Sequence, residues 1–119
     1  MKFKLTIGDT IEFPVRFSLK DGDRAVPFQL TLKAKRIDSE RYEKAFADGS
    51  DELSADVLRE VVTGWRDQRL VMCDDGTAAE FCPEAFDALL SVVGVPGMAL
   101  RAYVSALVAA DTPRGRAGN

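Results

Sequence analysis

The chain contains no histidine. That removes the side chain that most often moves protons near neutral pH, and with it the commonest nitrogen ligand for metals. Cysteine is scarce: Cys73 and Cys82 are the only two, and they lack CxxC spacing. They build no disulfide framework, and without imidazoles they cannot complete a four-ligand zinc site. Both read as small core or cap residues in a reducing compartment. No apolar run approaches the length of a bilayer span. The first residues alternate in polarity where a signal peptide would be continuously apolar, so a cytoplasmic location and no membrane partner are expected. There is no excess of either charge: the net value is -3 with both signs interspersed, which excludes the concentrated basic face that nucleic acid requires. No GxSxG, GxGxxG, HExxH or phosphate loop is present. The adjacent Asp74 and Asp75 precede Gly76 and read as a solvated turn. No catalytic, metal or cofactor residue is therefore nominated, and an enzyme is not expected.

What is present is a small domain with ordinary proportions. At 119 residues, 46% hydrophobic and 29% charged, the chain is long enough to bury a core without staples. Residues 1–110 read as one α+β domain. Residues 111–119, rich in Pro, Gly and Arg, read as a disordered tail.

Two long alternating segments dominate. Ile11, Phe13, Val15, Phe17 and Leu19 alternate with polar residues, and Val26, Phe28, Leu30 and Leu32 do the same after the Asp21-Gly22-Asp23 turn signal. A period of two places all of these on one face of a hairpin, and that face must be covered. Pro14 cannot donate to a ladder, which assigns its strand to an edge. A shorter strand over Phe3, Leu5 and Ile7 precedes them, completing an N-terminal antiparallel sheet of about three strands. Lys33, Lys35 and Arg36 at the end of the second long strand have two readings, charges that blunt a sheet edge, which is favoured, or a contact for an acidic partner.

About four helices come after the sheet. Asp38 or Ser39 caps the first, which carries Tyr42, Ala45 and Phe46. Ser50 or Asp51 caps the second, whose stripe of Leu53, Val57, Leu58, Val61, Val62 and Trp65 runs to a left-handed Gly64. Cys82 or Pro83 opens the third, with Phe86, Leu89, Leu90 and Val93 and an end at Gly94. Pro96 opens the fourth, with Leu100, Tyr103, Val104, Leu107 and Val108 on one face and an alanine flank at Ala99, Ala102, Ala106, Ala109 and Ala110. Trp65 has two readings, a partner anchor or a core plug whose ring N–H finds a backbone acceptor.

In order and spacing these pieces resemble the phage tail assembly chaperones. The resemblance lies in Phe3-Lys4-Leu5, in the hairpin ending Lys33-Ala34-Lys35-Arg36, in Val61-Val62-Thr63-Gly64-Trp65, in Phe81-Cys82-Pro83-Glu84-Ala85-Phe86-Asp87-Ala88-Leu89-Leu90, which is similar to the family's F-S-x-E-x-L-x-x-L-L, and in Pro96, Ala99 and Ala102-Tyr103. Cys82-Pro83 stands where the family has a serine cap. The connection from Trp65 to Phe81 is longer than usual, with room for an extra hairpin. The resemblance implies a non-enzymatic protein that coats the tape measure protein and keeps it soluble. It also implies a longer frameshifted product that recruits the major tail protein. A coat along a rod implies a homo-oligomer, expected through helix contacts. The candidate partner-binding residues are Leu100, Tyr103, Val104 and Leu107, expected to be partly exposed on the last helix, together with Trp65. The alternative is a structural virion component, such as a tail-completion or head–tail connector protein.

Overall fold

The computed structural model describes residues 3, 5–47 and 49–108. The long alternating segments form a hairpin of two twelve-residue strands, β1 (Thr10–Asp21) and β2 (Arg24–Lys35), paired antiparallel from Thr10↔Lys35 to Asp21↔Arg24. Gly22 turns the chain at φ +66°, a conformation glycine adopts without Cβ strain and the one a type II′ turn requires at its first central position. The alternation divides the faces as expected. Phe13, Val15, Phe17, Leu30, Leu32 and Ala34 are buried on the inner face, while Glu12, Arg16, Gln29 and Lys33 are exposed on the outer one.

Pro14 opposes Thr31 and Pro27 opposes Ser18. The two pairs are four positions apart, so they belong to the same class in an alternating ladder. Neither proline has an N–H to give, which makes that class the non-hydrogen-bonded one. Pro14 thus sits on an edge strand, as its chemistry demands: the order of the three-stranded sheet is β1-β2-β3.

The third strand is not the one expected. Among the described residues, Phe3, Leu5 and Ile7 lie in no strand and are 82%, 80% and 55% exposed. The third strand is β3 (Val62–Arg66), which was expected to be the end of a helix. Three consecutive β-branched residues, Val61, Val62 and Thr63, followed by Gly64, make poor helix and good strand. The open edge of β2 supplies the partner, with Thr31↔Arg66, Leu32↔Trp65 and Lys33↔Gly64 in register and a shift between Lys33 and Ala34. Gly64 is therefore extended sheet, not a left-handed cap. Lys33 and Lys35 project from the central strand, so their charges do not guard an edge.

The first helix, α1 (Ser39–Phe46), begins at Asp38, whose Oδ1 accepts from Arg41 N at 2.9 Å. The second, α2 (Ser54–Val61), starts after Leu53 without a side-chain cap, in place of the expected Ser50 or Asp51. The third, α3 (Pro83–Leu90), has Cys82 as N-cap, its Sγ accepting from Ala85 N at 3.4 Å, and Pro83 in the first turn. Gly94, at φ +91°, turns the chain into α4 (Val95–Val108). The tail at 111–119, Ala109, Ala110, Lys2 and Lys4 lie outside the described residues.

Helix α4 lies on the inner face of the hairpin. Its buried line is Val95, Ala99 and Tyr103, with Ala102 and Ala106 packed beside it. The alanine flank is thus the interior side, because small side chains let the helix approach the sheet closely. The Tyr103 ring lies 5.7 Å from that of Phe13, and its hydroxyl donates to the Lys35 carbonyl at 2.7 Å. Leu58 and Val61 of α2 and Phe86, Leu89 and Leu90 of α3 complete the core. Each such side chain contributes roughly 1.5–3 kcal/mol on leaving water.

Burial pushes the Tyr103 hydroxyl up to about 12 from its ordinary 10.0, with the Glu60 carboxylate adding to the shift. A raised pKa means the contribution is whole below pH 10.0 and is lost as pH rises toward 12. Tyr103→Phe is expected to cost about 1 kcal/mol at neutral pH, through the lost hydrogen bond. It should also flatten the alkaline fall in stability. Urea denaturation of both forms across that pH range checks both outcomes.

Candidate binding groove

The open concave surface of most interest lies where the end of α4 meets the start of α1. Arg36, Ile37, Asp38, Ser39, Tyr42, Leu107 and Val108 line a cavity of about 250 Å³. The same four residues, Arg36, Ile37, Asp38 and Ser39, also line a second cavity of about 880 Å³, whose far wall is Leu5, Ile7, Gly8 and Asp9. The two cavities share those four lining residues. Together their apolar groups are Leu5, Ile7, Ile37, Tyr42, Leu107 and Val108, and their polar groups are Asp9, Arg36, Asp38 and Ser39.

Two features hold the α1 side of this groove in place. One is the Asp38 cap on the helix. The other is Arg41, which ties α1 to α2 and to the loop between them. Its Nη2 lies 2.8 Å from Glu52 Oε1 and 2.6 Å from Glu60 Oε1, while Nη1 and Nε reach the second oxygens of the same carboxylates at 3.1 and 2.9 Å. One planar guanidinium thus grips two carboxylates bidentately. Hydrogen bonds from Arg41 hold both glutamates below their ordinary 4.5. The Tyr42 and Phe46 rings meet along the helix at 4.8 Å, tilted by 46°.

The structure separates the five candidate partner-binding residues. Leu107 lines the groove. Tyr103 is fully buried, so the expectation of a partly exposed ring is corrected: its contacts are with Phe13 and Lys35, not with solvent. Leu100 is half-buried against the core and Val104 is half-buried on the same helix. Trp65 lies far along the chain in β3, and its ring meets Phe81 at 5.3 Å and Phe86 at 6.3 Å. Its Nε1 donates to the Ala79 carbonyl at 3.1 Å, which is the core-plug arrangement. Ile37, Tyr42 and Val108 join Leu107 in the groove without having been nominated as binding residues. Their signal was present only as apolar residues flanking a helix cap and at a helix end.

A second feature escaped the sequence. Gln68 is 4% exposed and uses all its polar capacity: Nε2 donates to the carbonyls of Val71 (2.8 Å) and Ala79 (3.0 Å), and Oε1 accepts from the N–H groups of Leu70 (3.1 Å) and Val71 (2.8 Å). It pins the connection between β3 and α3, beside Trp65. That connection holds a small hairpin bridged at Met72↔Ala78. At its tip Asp75 accepts from the backbone N–H and hydroxyl of Thr77, which lowers its pKa and fixes it as a turn residue. Cys73 and Cys82 are both exposed. Among the described residues no group of three or more His, Cys, Asp or Glu side chains is gathered as a metal would need. No single helix there is long and apolar enough to cross a membrane; α3 and α4 together have the composition but are bent by 106°.

Compared with family models, with curated proteins and with solved structures, the chain matches none.

The depressed glutamates set an acid dependence. Their contribution is present above 4.5 and is lost as pH falls through their lower folded-state values. Arg41→Met removes the partner, so the variant should lose stability at neutral pH and show a shallower fall as pH drops below 4.5. Thermal unfolding of both proteins over that range measures it.

Proposed function

We propose that this chain is a phage or prophage tail assembly chaperone, which binds the tape measure protein and keeps it soluble while the tail is built. The reading is of a binding protein rather than an enzyme, acting in the host cytoplasm in several copies. A longer frameshifted product would carry the contact to the major tail protein. Support comes from the ordered series of motifs running from Phe3 to Tyr103, and from the groove. The single observation that carries most weight is the groove's apolar lining by Ile37, Tyr42, Leu107 and Val108. An amphipathic helix of a long apolar-striped client binds such a surface by removing its stripe from water.

This corrects the placement of the binding face without abandoning it. The face of α4 that carries Tyr103 is spent on the sheet. What remains for a client is the half-buried Leu100, Val104 and Leu107 and the exposed Val108, together with the α1 wall.

The test is co-expression with the long helical protein encoded by the neighbouring gene, followed by a solubility assay and pull-down. The wild-type chain should keep that protein in the soluble fraction. Val108→Asp places a charge at a position that is 62% exposed, so the fold should survive while capture is lost. Capture undiminished in Val108→Asp would remove the groove from the account. Retention of the chain in purified particles would favour a connector, since a chaperone leaves.

A further inference from the structure

Residues 3–7 are the most exposed apolar stretch of the described chain. Phe3, Leu5 and Ile7 are 82%, 80% and 55% exposed, and they recur at alternate positions. Single exposed apolar residues are ordinary, but three in register are not. In the sequence they alternate with Lys2, Lys4 and Thr6, so the segment has an apolar side and a basic side when extended. It has the pattern of a strand, yet among the described residues Phe3, Leu5 and Ile7 lie in none.

We propose that two copies of the chain exchange these arms, each seating Leu5 and Ile7 in the Ile37–Tyr42–Leu107–Val108 groove of the other. Three observations converge on a second copy as the occupant. The first is position. The Asp9 carbonyl accepts from Arg36 N at 2.6 Å, which fixes the arm's root at the rim of the groove. Leu5 and Ile7 line a cavity of about 880 Å³ together with Ile37. When an arm's root and its receptor adjoin, a two-fold axis at that point lets each arm fill the other copy's groove, and every contact is made twice.

The second observation is charge. Asp9 and Asp38 line the groove, and Glu43 lies one turn along α1 from the lining residue Ser39. Against these acids the lining supplies one base, Arg36. Lys44 belongs to the same helix, and Arg41 is already committed to Glu52 and Glu60. The lining itself has one acid in excess, Asp9 and Asp38 against Arg36, and a basic arm with an apolar side complements it. The third observation is the fit of pattern: the arm offers apolar side chains in a row, and the groove offers Ile37, Tyr42, Leu107 and Val108. This deepens the chaperone reading, on which its expectation of self-association rests, and replaces helix contacts with arm exchange. It also makes arm and client competitors for one groove.

The experiment is sedimentation equilibrium on the full chain alone, with Trp65 emission as the check on folding. The wild type should dimerise. Leu5→Asp, at an exposed position that cannot disturb the core, should raise the dimer dissociation constant about a hundred-fold, because each dimer loses two seated leucines. Val108→Asp should do likewise from the receptor side, and Glu43→Lys should weaken the dimer without touching the apolar floor. An equimolar mixture of Leu5→Asp and Val108→Asp retains one intact arm and one intact groove, so it should form a heterodimer at concentrations where each variant alone is monomeric. A wild type that stays monomeric, a Leu5→Asp chain that dimerises undiminished, or a mixture that gives no heterodimer overturns the exchange. No client is present, so these results stand apart from those of the pull-down.

Discussion

A hairpin of two twelve-residue strands with one continuous apolar face cannot stay open to water, and α4 is what closes it. The contact is specific rather than merely greasy. Val95, Ala99 and Tyr103 recur every fourth residue, and the small residues at Ala99, Ala102 and Ala106 bring the helix down onto the strands. Tyr103 then fills the space above Phe13 and places its hydroxyl on the Lys35 carbonyl, at the end of β2. A buried hydroxyl without that acceptor would be costly, so the bond fixes the helix's position along the sheet as well as its distance. β3, α2 and α3 are arranged around this pairing.

The groove lies beside the last described turn of α4. The helix's first turns lie over the core, and Leu107 and Val108 line a cavity with Ile37 and Tyr42 beside the chain leaving β2 at Arg36. The wall opposite is α1, a short helix held by its Asp38 cap and by the Arg41 clasp on Glu52 and Glu60. A surface needed for docking is thus built on two anchored helices, while the N-terminal arm stands beside it with its apolar residues uncovered.

The hairpin was legible because period-two alternation over so many residues admits one arrangement, and Gly22 marks its turn. The caps at Asp38 and Cys82 were legible for the same reason: each is a local side-chain-to-backbone bond. Local signals failed where a tertiary partner decided the outcome. Val61 to Trp65 continues a helical stripe by spacing, yet the free edge of β2 drew it into the sheet. Residues 3–7 alternate like a strand, yet are given no strand to pair with. Tyr103 carried both a ring and a hydroxyl, and spacing alone could not tell which side of α4 would face the sheet; the alanines decided it. Gln68 sits among Arg66, Asp67 and Arg69 in a polar stretch, and nothing in that pattern marks it as the one side chain that turns inward. Of the groove, only Leu107 was nominated, because a groove is made of segments distant in sequence.

The account depends on α4 and the hairpin being one cooperative unit, and native-state hydrogen exchange at increasing denaturant tests that most directly. It predicts that amides of β1, β2 and the Val95–Tyr103 part of α4 open together, with the same free energy and the same denaturant dependence. Exchange of the α4 amides at a much lower free energy, with the hairpin still protected, would contradict it, because the inner face would then be stable without its cover.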